Sequence, residues 1–220
     1  MKHIALFLLC ALGISGAAVA QDNEYTGPMW GVKAAFDINI PGKYHFDDGS
    51  LKMFDHSYGF TVGVVNNIYL GRNFYLEPGV SFFYDSYKLS ETTIISGDGT
   101  TAAVSRPSAY KLGVRIPLVV GYSLNLNDRL GLSFYTGPEL SVTCADKGKG
   151  KTAAGREETF DFLESTYQRR ADLAWKIGVG VPYENFLIGI DAAIGVTDLH
   201  KGPAVSYREN RVSVGLTYYF

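Results

Sequence analysis

The stretch from Arg211 to Phe220 alternates without a break. Val212, Val214, Leu216, Tyr218 and Phe220 share one face, and Arg211, Ser213, Gly215 and Thr217 share the other. A period of two marks a strand with unlike faces. About ten residues with one apolar side is also what a barrel strand needs to cross a bilayer. A soluble sandwich or barrel carries the same alternation but turns its apolar face inward. The make-up of the two faces along the whole chain therefore decides which solvent lies outside.

At the other end, Met1-Lys2-His3 is a short basic start, Ile4 to Ile14 is an apolar run too short to span a bilayer, and Ala18-Val19-Ala20 is a small-x-small cleavage site. Residues 1–20 read as a signal peptide and 21–220 as one exported β-barrel domain. Cys10 leaves with the peptide. The exported chain then keeps only Cys144, which excludes an internal disulfide and a cysteine-based zinc site. No later segment offers the roughly eighteen consecutive apolar residues of a spanning helix, so a membrane crossing has to use strands. The net charge of −2 argues against a nucleic-acid partner.

Seven earlier stretches repeat the alternation: Trp30 to Ile38, Tyr58 to Leu70, Phe74 to Asp85, Tyr110 to Tyr122, Leu130 to Val142, Leu173 to Val181 and Phe186 to Val196. With the last stretch they predict an all-β fold, an eight-stranded antiparallel up-and-down transmembrane barrel. Gly71-Arg72-Asn73, Asn125 to Asp128 and Pro182 to Asn185 are short connections. Asn39 to Ser57, Lys88 to Pro107, Thr143 to Asp172 and Thr197 to Asn210 are long ones. Short turns lie on the periplasmic side of outer-membrane barrels, so both termini are expected in the periplasm.

The two faces differ in a way that favours lipid outside. Gly recurs on the polar face of every strand, and the apolar faces carry essentially no Gly and no Lys, Arg, Asp or Glu. A convex, solvated exterior has no steric need for Gly, whereas a narrow eight-strand lumen does. A cation at mid-depth on a lipid face costs about 2–4 kcal/mol, which accounts for the missing charge. Trp30, Phe74, Tyr75, Tyr122, Tyr183, Phe186, Tyr218 and Phe220 fall at the turn ends, and Tyr58, Tyr84, Tyr110 and Tyr207 at the loop ends, as interfacial girdles require.

The polar face contributes Lys33, Lys111, Arg115, Lys176 and Arg211 as cations and Asp37, Glu77, Asp85, Glu139 and Asp191 as anions. Buried charges left alone are expensive, so a balanced tally inside a narrow barrel predicts a paired network that plugs it. Glu77, Arg115 and Glu139, on neighbouring strands, supply the first pairings expected. The alternative is a small porin lined by the same residues.

Other polar residues carry less. His45, His56 and His200 lie in three different loops. Asp55-His56-Ser57 invites comparison with lipid-hydrolysing barrels of the outer leaflet, but adjacent side chains on an extended segment point to opposite sides. Lys147-Gly148-Lys149-Gly150-Lys151, followed by Arg156-Glu157-Glu158 and Arg169-Arg170, reads as a solvated loop that could touch lipopolysaccharide phosphates. Gly97-Asp98-Gly99 is a turn that lacks the further carboxylates of a calcium loop. No cofactor or metal is expected.

Pro78, Pro117 and Pro138 fall inside proposed strands, where a missing donor calls for bulges. Tyr75-Leu76-Glu77-Pro78-Gly79-Val80, Gly113-Val114-Arg115-Ile116-Pro117-Leu118 and Tyr135-Thr136-Gly137-Pro138-Glu139 resemble the recurring E-P, I-P-L and G-P motifs of the Bacteroidota outer-membrane β-barrel family, often called PorT-like. The resemblance covers most of residues 29–220. It implies a barrel similar to the OmpA and OmpX transmembrane domains, and no catalytic residues come with it.

Together these readings give a non-enzymatic outer-membrane barrel with a filled lumen and surface loops. The expected partners are outer-membrane lipid and lipopolysaccharide, an envelope, host or secretion-system protein, and the barrel-assembly machinery, which would read the last strand ending in Phe220.

Overall fold

The computed structural model describes residues 29–220 apart from 43, 47–48, 52–55, 89–91, 96–100, 128, 152–156, 162, 164–168 and 201–205. The expected signal peptide, Asp55, Gly97-Asp98-Gly99 and Arg156 lie outside the described residues. Among the described residues twelve strands follow one another: β1 (Met29–Pro41), β2 (Tyr44–Phe46), β3 (Gly49–Leu51), β4 (Ser57–Gly71), β5 (Phe74–Lys88), β6 (Thr92–Ile95), β7 (Thr101–Asn125), β8 (Gly131–Lys151), β9 (Glu157–Asp161), β10 (Ala171–Tyr183), β11 (Phe186–Gly195) and β12 (Glu209–Tyr219).

The wall follows the order β1-β4-β5-β7-β8-β10-β11-β12, every neighbouring pair antiparallel, and β12 pairs back onto β1. This is the closed eight-stranded barrel that the alternation predicts. Closure removes sheet edges within the wall, as strands crossing lipid require. The polarity is inverted relative to a soluble barrel: Phe36, Phe60, Phe82, Ile177 and Ile190 face outward and exposed, while Asp37, Asp85, Glu139 and Asp191 are buried in the lumen.

Paired residues traced once around the wall run Pro182, Leu187, Thr217, Lys33, Gly63, Ser81, Arg115 and Ser141. The path returns to β10 at Asp172, ten residues from where it began. This stagger tilts the strands, so side chains at one height in the lumen come from different hydrogen-bonded rows. The β4–β5 turn is as tight as expected, with Arg72 (φ 51°) and Asn73 (φ 70°) both in the left-handed region that two-residue hairpin loops demand.

Three expectations change. The segments 88–107 and 143–172 are not loops throughout. β7 has 25 residues and β8 has 21, and beyond the wall they stay paired to each other while β6 and β9 add to their outer sides. Their Thr- and Lys/Gly-rich composition hid strands that rest on pairing with neighbours rather than on an apolar face. The connection after β1 likewise holds the small β2–β3 hairpin.

The prolines, thirdly, bring no bulge. Register continues past them, from Pro78↔Leu118 to Ser81↔Arg115 and from Pro117↔Glu139 to Val120↔Thr136, so the ladder drops rungs without inserting a residue. The shifts fall instead at Tyr69/Gly71, Ser105/Ser108 and Leu112/Gly113. The exposed Cys144 sits at the last of these, between the partners of Gly113 and Leu112.

Candidate functional site

Inward positions of the tilted strands deliver charge to the barrel axis in a fixed sequence. Asp85 Oδ2 lies 3.1 Å from Arg115 Nη2, and Arg115 Nη1 lies 2.6 Å from Asp37 Oδ2. Asp37 Oδ1 is 3.8 Å from Arg211 Nε, and Arg211 Nη2 is 2.5 Å from Glu139 Oε1. Lys176 Nζ then sits 3.1 Å from Glu139 Oε2 and 3.2 Å from Asp191 Oδ1, the latter off the hydrogen-bond direction and so purely ionic. Lys33 Nζ closes the series 3.5 Å from Asp191 Oδ2.

The eight groups alternate in sign along the whole path and sum to zero. Seven wall strands supply them. The eighth, β4, supplies Thr61, whose hydroxyl donates to Asp37 Oδ2 at 2.5 Å and accepts from Arg115.

Further contacts complete the solvation that water would otherwise provide. Ser213 donates to Asp37 Oδ1 at 2.6 Å, and the Arg115 guanidinium carbon lies 4.1 Å from the centre of the Phe83 ring. Glu139 and Asp37 are 2% and 1% exposed, so neither charge has a route to bulk water. Such a network is stable only as a unit, because each buried ion depends on its neighbours for compensation.

Of the ten lumen charges expected, eight form this chain. Lys111 lies nearer the loop end and pairs with Glu209 at 2.5 Å. Glu77 lies nearer the turns, where it accepts a hydrogen bond from the Tyr219 hydroxyl at 2.5 Å. The expected Glu77, Arg115 and Glu139 pairings are replaced. Glu77 stands opposite Val119 while Arg115 stands opposite Ser81, four residues further along β7, and the stagger brings Asp37 to Arg115 from three strands away.

Glu209, Thr61 and Ser213 were not expected as site residues. Glu209 falls in the connection before the last alternating stretch, and the two hydroxyls share the polar face with many that bind nothing. Lumen-facing parity was the one available signal.

The turn end of the lumen is filled differently. Tyr75, Val119 and Tyr135 form an apolar cluster. The Tyr75 hydroxyl bonds Ser133 Oγ at 2.8 Å, and the Tyr135 hydroxyl donates to Asp191 Oδ2 at 3.3 Å. Gly121 lies directly under the Tyr75 ring and Gly178 under the Tyr135 ring, where a Cβ would collide with either. Tyr75 is therefore a lumen plug and not the interfacial aromatic expected of it.

Tyr207, also expected in a girdle, is buried beside Leu199 in the β11–β12 connection, whose backbone bonds it at 2.8 Å. Asp198 holds that connection closed by accepting the N–H groups of His200 at 3.0 Å and Tyr207 at 2.9 Å. Burial raises the Asp198 pKa, but these two donors together with the charges of His200 and Arg169 more than offset it and hold the carboxyl below its usual range. His56 is exposed and Ser57 buried, so they point to opposite sides as extended geometry requires.

Sequence comparison assigns the family. A family described as outer membrane protein beta-barrel domain matches residues 19–201. The chain belongs to that family. An outer-membrane location follows for this outer-membrane barrel, and no curated protein matches it.

Among solved structures it is similar to Ail, the attachment invasion locus protein of Yersinia pestis, crystallised with the heparin analogue sucrose octasulfate. That match has 12% identity and a TM-score of 0.45, covering 88% of this chain and 99% of that one. OprG from Pseudomonas aeruginosa matches at 11% identity and a TM-score of 0.47, over 88% and 96% of the two chains. Neisserial surface protein A matches at 12% and 0.43, over 87% and 97%.

Proposed function

We propose that this barrel is a non-enzymatic, non-conducting scaffold that displays its long β6–β9 extension at the cell surface for contact with envelope, secretion-system or host proteins. The alternating eight-charge chain carries the reading: it draws on every wall strand once Thr61 is included, and it leaves the lumen filled by ions that cannot be moved singly. In this orientation the tight turns and both termini are periplasmic and the signal peptide has been removed. The Phe220 ring, 69% exposed on the lipid face, is the element assigned to recognition by the barrel-assembly machinery. Within the family, the Glu77-Pro78, Ile116-Pro117-Leu118 and Gly137-Pro138 motifs favour the PorT-like group.

The test has two parts. Purified protein in planar bilayers passes no steady current, and a sustained ohmic conductance overturns the plugged reading in favour of a small porin. On intact cells, a membrane-impermeant maleimide labels Cys144, which stands at the loop end. Labelling only after the outer membrane is breached reverses the orientation.

A further inference from the structure

We propose that the outward face of β5, β7 and β8, at and just beyond the loop-end aromatics, binds the phosphate groups of a lipid in the outer leaflet. Two adjacent hydrogen-bonded rows cross these strands and continue onto β9. One runs Ser86, Tyr110, Lys147 and Asp161, and the next runs Lys88, Ser108, Lys149 and Thr159. Ser86, Ser108, Lys147, Lys149 and Thr159 are exposed, and they share the outward face with Tyr84 and Tyr110, whose rings stack at 6.0 Å.

Depth and charge then agree. Stacked tyrosines mark where hydrocarbon meets headgroups; the first row passes through Tyr110 itself and the second lies immediately beyond it, at the depth of a lipid phosphate. The Leu112/Gly113 shift is what sets this face. By moving β8 over one residue it turns Lys147 and Lys149 outward while Asp146 stays buried in the lumen beside Lys111.

Lys147 and Lys149 stand exposed in these rows against the single carboxylate of Asp161, which already accepts the Leu163 N–H at 3.0 Å. Exposed hydroxyls of Ser86, Ser108 and Thr159 share these rows with the two lysines as further donors. Ammonium together with hydroxyl suits a tetrahedral, multiply charged oxyanion better than a neutral sugar or a zwitterionic headgroup. The second row contains no acid at all.

This site uses the loops-outside orientation of the preceding section, which the Cys144 labelling tests separately. The full-length protein is placed in phosphatidylcholine nanodiscs doped either with diphosphoryl lipid A or with the same lipid after phosphatase treatment, and bound lipid is counted by native mass spectrometry. Wild type retains the phosphorylated lipid and releases the dephosphorylated one. Lys147→Ala/Lys149→Ala weakens retention about 25-fold, on the basis of a factor of about five for each lysine near a charged surface. Lys147→Arg/Lys149→Arg keeps it, and folding of each variant is checked by its heat-modifiable mobility on gels. Equal retention of the two lipids, or unchanged retention in the folded alanine variant, overturns the site even if Cys144 labels from outside.

Discussion

The two faces of the same strands solve opposite problems. Outside, Val62, Ile177, Ile190 and their neighbours meet a uniform solvent, so any apolar side chain serves and each position is nearly independent of the next. Inside, Asp37, Arg115, Glu139 and Arg211 meet only one another and a few hydroxyls, so each is correct only in the company of particular partners. The exterior is specified by a class of residue, the interior by a set of pairs. Substitutions should therefore be costlier and less additive inside than outside.

The largest effect falls on the middle of the charge chain. Glu139→Ala takes from Lys176 and Arg211 the carboxylate they share and leaves them only the ionic contacts with Asp191 and Asp37 in a site with little access to water, and it should destabilise the barrel by about 3–5 kcal/mol in urea unfolding from lipid vesicles. Adding Lys176→Ala should recover part of that loss, because it removes one of the two cations that Glu139 had compensated; simple additivity of the two changes would show that the chain is not a unit. On the opposite face, Ile177→Lys sets a cation at mid-depth on the lipid side and should cost about 2–4 kcal/mol in the same assay. A cost near zero would place Ile177 outside the hydrocarbon band and break the contrast.

The contrast also explains what was legible in the sequence. Period two names every wall strand and its two faces, because that signal lies within each strand. All ten lumen charges were on the page for the same reason. Their pairing was not: Asp37 reaches Arg115 from three strands away only because the rows climb ten residues per circuit, a property of the closed wall and of no single segment. The β6–β9 extension was hidden for a different reason. Beyond the hydrocarbon its strands have no apolar side to enforce a greasy alternation, so Thr101-Ala102-Ala103-Val104 and Lys147-Gly148-Lys149 look like loop. The plug at the turn end falls between these cases. Gly121 and Tyr75 were both on the inward face, but only register sets one beneath the other.

That pair gives the next smaller prediction. Gly121→Ala forces the Tyr75 ring aside and breaks its 2.8 Å bond to Ser133, so the expected cost is the roughly 1–3 kcal/mol of an overpacked core. Tyr75→Phe in the Gly121→Ala background separates the two contributions. If the hydroxyl is already displaced by the alanine, removing it has no further effect on the unfolding midpoint, whereas a full additional loss would mean that the ring had not moved.

The smallest effect belongs to the β11–β12 connection, which is neither lipid face nor lumen and is held by a carboxylate with access to water. Because the Asp198 carboxyl is lowered in the folded state, its contribution is fully present at neutral pH and is lost as pH falls through that lowered value, below the ordinary carboxylate range. Backbone protection of Tyr207 and His200, measured as protection factors by hydrogen exchange so that the intrinsic slowing in acid is divided out, should therefore drop on acidification while the wall strands stay protected. Asp198→Asn keeps a side-chain oxygen able to accept from both N–H groups and does not titrate, so in that variant the drop should vanish. If it persists, the connection is released by protonation elsewhere, and the Tyr207 side chain rather than Asp198 is what holds the connection against the barrel.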